Sequence, residues 1–431
     1  MNNLSIPNEV AGFFAKGSGK TLLVKGNPGS GKTIFALTLL QALGRKGVYL
    51  STRVDTESLY GHIGWLRENL PAENIIDATQ SERQRATSTS LIKPLKYTNV
   101  PDFLKGVYER TEKLKSALVI IDSWDAIVSH TGFHEPRERE RLEHNLCDFS
   151  RKTTTDIIFI VEYVEQKPLD YLTDGVVTTI SSVHDMRRIR TLELQKLRGR
   201  LIKQPTYLYS LHGGIFRVFP VFKRYPLDNL KMPPPLPDIS PERLSTGIKD
   251  LDIIVNGYGS FNLCCGDRMC YDLLQLFLIL NSLGLGKRLA LTLSEQSILK
   301  NAAGFLPEDL GDKIQMLPTE SIDTLKKRVS DLNRQKLMAG AIFFLCLDDR
   351  TDHGVERLIF EITQKGGFVF GFVSEGKAID ADLESMASTS LVTKMHFGVP
   401  CVYSNLPVTE LYAITLETAG GWPELSLTPI V

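Results

Sequence analysis

The chain has 431 residues, 42% hydrophobic and 23% charged, the balance of a soluble globular protein with roughly two to four domains and ample material for large cores. Its 50 basic and 50 acidic side chains cancel, which excludes bulk attraction to nucleic acid or an anionic membrane and leaves only local basic patches. No positive-then-apolar leader opens the sequence and no run of about eighteen apolar residues occurs in it, so the expected location is the cytoplasm.

Residues 4–17 place Val10, Phe13 and Phe14 at helical spacing and predict a short amphipathic helix ahead of the first strand. Thr21-Leu22-Leu23-Val24 then predicts a buried strand, and Ile34 to Leu43 an apolar helix. Between them Gly26-Asn27-Pro28-Gly29-Ser30-Gly31-Lys32-Thr33 fills every fixed position of the phosphate-binding pattern G-x-x-x-x-G-K-[ST], in the strand-loop-helix context that pattern requires. The glycines let successive amides turn inward as an anion nest at a helix N-terminus. Lys32 is expected to reach the outer phosphates of a nucleoside triphosphate, and Thr33 to ligate the magnesium ion that bridges them.

Gly44 and Gly47 turn the chain into Val48-Tyr49-Leu50-Ser51-Thr52, the second strand of a βαβ unit, so the sheet is predicted to be parallel. The polar stretch from Asp77 to Tyr97 has weak periodicity and suggests no function. A helix predicted over 102–115 precedes the apolar run Ala117 to Ile121, which ends in Asp122. Strands apolar on both faces belong to covered parallel sheets, and ligands bind at their carboxyl ends. Asp122 is therefore expected to face the loop and hold magnesium through water, with Asp125 capping the next helix. Alternating charges over 134–152 predict a solvated helix face. Ile157 to Glu162 is another core strand ending in an acid, Thr173 to Ile180 a further one, and 187–219 a set of β segments broken at Gly199 and Gly213-Gly214.

The proline run in 231–239 cannot lie inside a helix or central strand and predicts a semi-rigid linker between a domain over 1–230 and a second over 240–431. Past it, a strand over Phe261 to Cys265, a helix over Leu273 to Leu283 and a strand over Arg288 to Leu293 repeat the order of the first half, which points to an internal duplication. Counted from Gly266, Asp272 stands where the lysine is needed and Leu273 where the threonine is, so the copy is expected not to bind phosphate, although Asp348 still ends a strand. The six cysteines, mostly in apolar surroundings, predict buried free thiols.

Taken in order, the loop, Val48 to Arg53, Val119-Ile120-Ile121-Asp122-Ser123 and Lys196-Leu197-Arg198-Gly199 resemble the RecA-like ATPases of the KaiC and RadA group. The duplicated layout, opened in its second half by Arg243-Leu244-Ser245-Thr246-Gly247-Ile248, resembles tandem KaiC proteins. Leu50 to Val54 and Asp122-Ser123-Trp124-Asp125 are similar to the archaeal branch that includes gas-vesicle regulators of GvpD type. The resemblance implies ATP with Mg2+ at the loop, assembly into homo-oligomers through RecA-like interfaces, and a Lys-x-Arg segment, here Lys196 and Arg198, that reaches the γ-phosphate of a neighbouring subunit. It also implies one or two glutamates directly after the second strand to activate water; Arg53 and Val54 stand there instead. Asp55, Glu57 and Glu162 are the carboxylates left to substitute.

The expected fold is α/β throughout, a RecA-like P-loop domain with a parallel core sheet followed by a degenerate RecA-like copy. The expected function is that of an ATP-binding regulatory ATPase, a weak hydrolase that controls its own assembly or a protein partner. A DNA-repair or recombination accessory ATPase is one alternative, supported by the basic stretch Arg187, Arg188, Arg190, Lys196, Arg198, Arg200 and Lys203 and opposed by the zero net charge. A scaffold that binds ATP without hydrolysing it is another.

Overall fold

The structure, a computed structural model, describes residues 6–14, 19–77, 109–111, 114, 117–130, 135–223, 231–292, 314–317, 322–335, 338–348 and 354–431. The polar stretch to Tyr97 beyond its first residue, and most of the helix expected over 102–115, lie outside the described residues. Two compact units emerge, Met1–Pro220 with Ile430–Val431, and Val221–Pro429.

The first unit is built on a nine-stranded sheet. In chain order its strands are β1 (Thr21–Gly26), β2 (Gly47–Ser51), β3 (Ile75–Asp77), β4 (Leu118–Asp122), β5 (Asp156–Ile160), β6 (Gly175–His184), β7 (Arg187–Leu197), β8 (Thr206–Ser210) and β9 (Arg217–Phe219). In space they run β3-β2-β4-β5-β1-β6-β7-β8-β9, parallel as far as β6 and antiparallel beyond it. The parallel strands are apolar along their length because both faces are covered. On β1, Leu22 and Val24 join one core with Phe35, Leu39 and Ile158, while Leu23 points to the other with Val48, Val119, Trp124 and Phe159, the period-two alternation of a strand. The helix after β1 is Lys32–Ala42; the one at the chain's start covers only Asn8–Phe13. The helix Pro136–Thr153 is solvated along most of its charged face, but Glu143 is buried, taking a hydrogen bond from Trp124 Nε1 (3.0 Å) and an ion pair from Arg139 (2.8 Å).

The second unit has β10 (Phe261–Gly266), β11 (Leu289–Thr292), β12 (Ile314–Leu317), β13 (Ile342–Cys346), β14 (Phe368–Ser374), β15 (Thr389–His396), β16 (Val399–Leu406), β17 (Tyr412–Ala419) and β18 (Trp422–Pro429). Their order, β12-β11-β13-β14-β10-β15-β16-β17-β18, is that of the first sheet strand for strand, and the switch from parallel to antiparallel again falls at the sixth, β15. The proline run lies along this unit: Leu236 exchanges hydrogen bonds with the Asn281 side chain and Asp238 pairs with Lys287. All six cysteines are free, and burial pushes the thiols of Cys264, Cys270 and Cys401 far up. Among the described residues no helix is long and apolar enough to cross a membrane.

The copy differs at its loop in a way that counting residues does not reveal. Five residues, Asn27–Gly31, separate β1 from its helix. Between β10 and the helix Arg268–Gly284 stands Asp267 alone. The residues counted against the loop open the helix instead, which leaves Asp272 a turn inside it, paired with Arg268 at 2.8 Å. Asp267 caps that helix, its carboxylate accepting from the Cys270 amide at 2.9 Å.

Candidate nucleotide site

The loop leaves β1 at the carboxyl end of the parallel sheet and closes where Gly31, with φ 87°, starts the helix Lys32–Ala42. A side chain at Gly31 would meet Leu211 at 2.8 Å as well as the left-handed backbone; at Gly29, φ 76°, a Cβ would stand in open space, so the backbone conformation is the constraint there. The loop is held from the antiparallel side of the sheet. Ser30 Oγ lies 2.7 Å from Thr179 Oγ1 on β6, Arg190 on β7 donates to the Gly29 carbonyl (3.0 Å), and the Tyr209 hydroxyl on β8 donates to the Ser30 carbonyl. Tyr209 is itself stacked on Phe216, 4.2 Å between centroids.

Within this frame Lys32 is buried and its ammonium donates to the Gly26 (2.7 Å) and Asn27 (3.0 Å) carbonyls. Burial lowers its pKa, opposed by the charges of Glu162 and Asp122. Thr33, in the first turn, donates through Oγ1 to Asp122 Oδ2 at 2.5 Å, and the hydroxyl of Tyr49 on β2 donates to the same oxygen at 2.8 Å. Burial raises the Asp122 carboxyl although Thr33, Tyr49 and Lys32 all favour its charge, and burial with the adjacent Asp122 carries the Tyr49 phenol well above its ordinary value, so Tyr49 stays a donor. Thr52 Oγ1 donates to the Asp122 carbonyl (3.1 Å) and accepts from the Ser123 amide (3.0 Å), fixing the strand end. These groups fit a magnesium nucleotide: a hydroxyl and a carboxylate offer hard oxygens, and an ammonium stands beside an amide-lined loop.

The carboxylates considered for water activation part company here. Asp55 is the N-cap of the helix Thr56–His62, accepting from the Ser58 amide (2.9 Å) and hydroxyl (2.7 Å), bonds that hold its carboxyl below its ordinary value. Glu57 is exposed and pairs with Arg67 at 3.2 Å. Glu162, just past β5, has its amide bonded to Asp125 Oδ2 (3.0 Å) and its carboxylate paired with Arg53 Nη1 (2.7 Å). Asp125 thus ties the helix Trp124–His130 to the end of β5 instead of capping it.

Lys196 and Arg198 lie at the far end of the sheet from the loop. Leu197 is opposite Gly175, and Gly175 opposite Leu22, about 13 Å along β1 from Gly26 at a strand's rise per residue. Lys196 Nζ donates to the Asp170 carbonyl (2.6 Å) and Arg198 to the Tyr171 carbonyl (3.0 Å). The basic stretch around them is divided among intrachain contacts: Arg190 on Gly29, Arg187 on the Asp185 carbonyl, Arg200 on the Gly12 carbonyl. Tyr49, Thr179, Arg190 and Tyr209 were not singled out by motif, because each reaches the loop or Asp122 across the sheet; alternation on β2, which turns Tyr49 and Ser51 to one face, was the available signal for Tyr49.

Residues 10–197 match the family model described as GvpD gas vesicle protein, P-loop domain. The chain is 30% identical over 265 residues to Protein GvpD2 of Halobacterium salinarum, a span of 58% of this chain and 52% of that one, and 28% identical over 264 residues to Protein GvpD1 of the same organism, 58% and 48%. It is 24% identical over 272 residues to the circadian clock oscillator protein KaiC of Thermostichus vulcanus, 58% and 49%. The chain spans about half the length of the curated relatives it matches. With the loop after β1 and the acid-tipped β4, this match makes residues 10–197 similar to the GvpD P-loop domain and, at lower identity, to KaiC.

Proposed function

We propose that this chain is an ATP-binding regulatory ATPase of KaiC-like type, in which magnesium-ATP held at the first unit's loop controls self-assembly or the engagement of a protein partner. The observation that carries the reading is the convergence on one oxygen, Asp122 Oδ2, of Thr33 and Tyr49 beside the buried Lys32 ammonium. Loop amides and Lys32 would hold the phosphates; Thr33 would ligate Mg2+ directly, with Asp122 holding it through water. The metal, when bound, supplies charge neutralisation at the transferred phosphoryl group. Lys32 would exchange its carbonyl partners for phosphate oxygens, Thr33 would offer the metal a hydroxyl lone pair while its proton stays on Asp122, and Tyr49 would keep that carboxylate oriented. A role in trans for Lys196 and Arg198 is supported by their distance from the chain's own loop, since a cation so far away serves a site only on a neighbour.

The test is calorimetry of magnesium-ATP binding to the parent chain and to Lys32→Ala, with mass in solution measured with and without ATP. The parent is expected to bind and to change its assembly state, and the variant to lose tight binding. Near-normal affinity in Lys32→Ala overturns the site. A second reading, ATP binding without turnover, draws on Arg53 and Val54 at the positions of the expected glutamates and on the capping role of Asp55; single-turnover hydrolysis by the parent excludes it.

A further inference from the structure

The side chains that replace the missing glutamate are arranged as a pair. Arg53 follows the carboxyl end of β2 and Glu162 that of β5, and these two strands flank β4, which carries Asp122. The ion pair, Arg53 Nη1 to Glu162 Oε1 at 2.7 Å, therefore spans the strand end where the metal would be held. Its two halves are not equally fixed. Glu162 is anchored through its amide to Asp125, which faces Arg139 at 3.5 Å, while Arg53 is 54% exposed and is held at its guanidinium by this contact. Half-exposed pairs of this kind add little to stability, so the partner is exchanged at small cost. Lys32 opens the helix that follows β1, and β1 pairs with β5 in parallel, so the pair and the group that addresses the outer phosphates stand at the same carboxyl end of the sheet.

We propose that Arg53 reads the γ-phosphate in cis and that its transfer to that phosphate frees Glu162 to accept the proton of the attacking water. The inference rests on the reading of the loop as an ATP site. A guanidinium forms forked, charge-assisted hydrogen bonds to a phosphate that carries more charge than one carboxylate, which favours the exchange. In the hydrolytic step the water oxygen bonds to the γ-phosphorus, and the bond from that phosphorus to the β,γ-bridging oxygen breaks. The electron pair leaves with ADP, and the water proton passes to the Glu162 carboxylate and from there to solvent. With ADP bound there is no γ-phosphate, Arg53 stays on Glu162, and the base stays neutralised. The pair thus couples recognition of ATP over ADP to supply of the base.

The test uses the full chain as parent, Arg53→Ala, Arg53→Lys and Glu162→Gln, with calorimetry of magnesium-ATP and magnesium-ADP and single-turnover hydrolysis of ATP. Arg53→Ala is expected to lose on the order of tenfold of the parent's preference for ATP over ADP, the scale of a hydrogen bond to a charged group, with ADP affinity unchanged; Arg53→Lys recovers part of it. Glu162→Gln is expected to bind ATP at least as tightly as the parent and to slow the single turnover by roughly 10²- to 10⁴-fold. A parental ATP-to-ADP ratio in Arg53→Ala, a parental rate in Glu162→Gln, or a parent that binds ATP without turning it over overturns the proposal while leaving the site reading in place. A parent that binds neither nucleotide removes both.

Discussion

Tyr49→Phe separates the metal from the rest of the site. The substitution keeps the buried ring and deletes one oxygen, whose 2.8 Å hydrogen bond reaches Asp122 Oδ2. In the structure Thr33 donates to the same oxygen; a metal would take a lone pair of that hydroxyl and leave its proton on Asp122, so Tyr49 is the second of the two donors that hold the carboxylate in place. A hydrogen bond to a charged acceptor contributes about 1.5–3 kcal/mol, or roughly one to two decades at about 1.4 kcal/mol each. Outer partners of metal ligands cost about the same 10- to 100-fold when removed. Half-saturation by Mg2+ at fixed ATP is therefore expected to rise by roughly 10- to 100-fold, while ATP affinity in a chelator stays parental. The fold loses about 1 kcal/mol, a shift on the order of 2–4 °C in melting temperature for a unit of this size. A magnesium titration followed by calorimetry, with thermal melts alongside, reads both. A parental Mg2+ midpoint in a folded variant refutes the role assigned to Tyr49.

Asp122→Asn should weaken Mg2+-dependent ATP binding yet stabilise the nucleotide-free protein at neutral pH. Because burial raises the Asp122 carboxyl above its ordinary value of 3.8, the folded state binds more protons than the unfolded one over that window. Stability is then lost as pH rises through the folded-state value, and the advantage of asparagine should shrink as pH falls toward the ordinary value, in melts over a pH series; an advantage that grows on acidification contradicts the sign. Nucleotide stoichiometry should be one per chain in the parent and in Asp272→Ala, since Asp272 lies within a helix and pairs with Arg268; two bound nucleotides by calorimetry rule out the non-binding copy. If Arg198 serves a neighbour's site, turnover per chain should rise with concentration and Arg198→Ala should lower it, up to a factor on the order of 10³, while sparing ATP binding. Mixing that variant with Lys32→Ala should restore part of the activity, and a flat concentration dependence with parental Arg198→Ala turnover excludes the trans role.

The parallel sheet was legible because Thr21 to Val24, Val48 to Leu50 and Val119 to Ile121 carry their burial in local composition, and the loop because its glycines and lysine act as one contiguous unit. The helical turn that stands in place of the loop in the second unit was not legible, because counting from Gly266 aligns residues without their conformation. Asp125 looked like a cap since it opens a helix, but its carboxylate is taken by an amide thirty-seven residues on. Arg190 and Tyr209 support the loop from antiparallel strands about 160 and 179 residues away, a separation at which charge and aromatic content say nothing of the partner.

The capped helix of the second unit bears on how the chain takes in information. Where the first unit presents a helix start open to an anion, Asp267 supplies the second with a permanent internal one, bonded to the Cys270 amide at 2.9 Å. An end satisfied by its own carboxylate has the same charge whatever the nucleotide concentration outside. Among the described residues, the proposed nucleotide site is then the first unit's alone, and the response to ATP should be that of one site per subunit: hyperbolic in dilute monomer, with any steepness arising from assembly between chains.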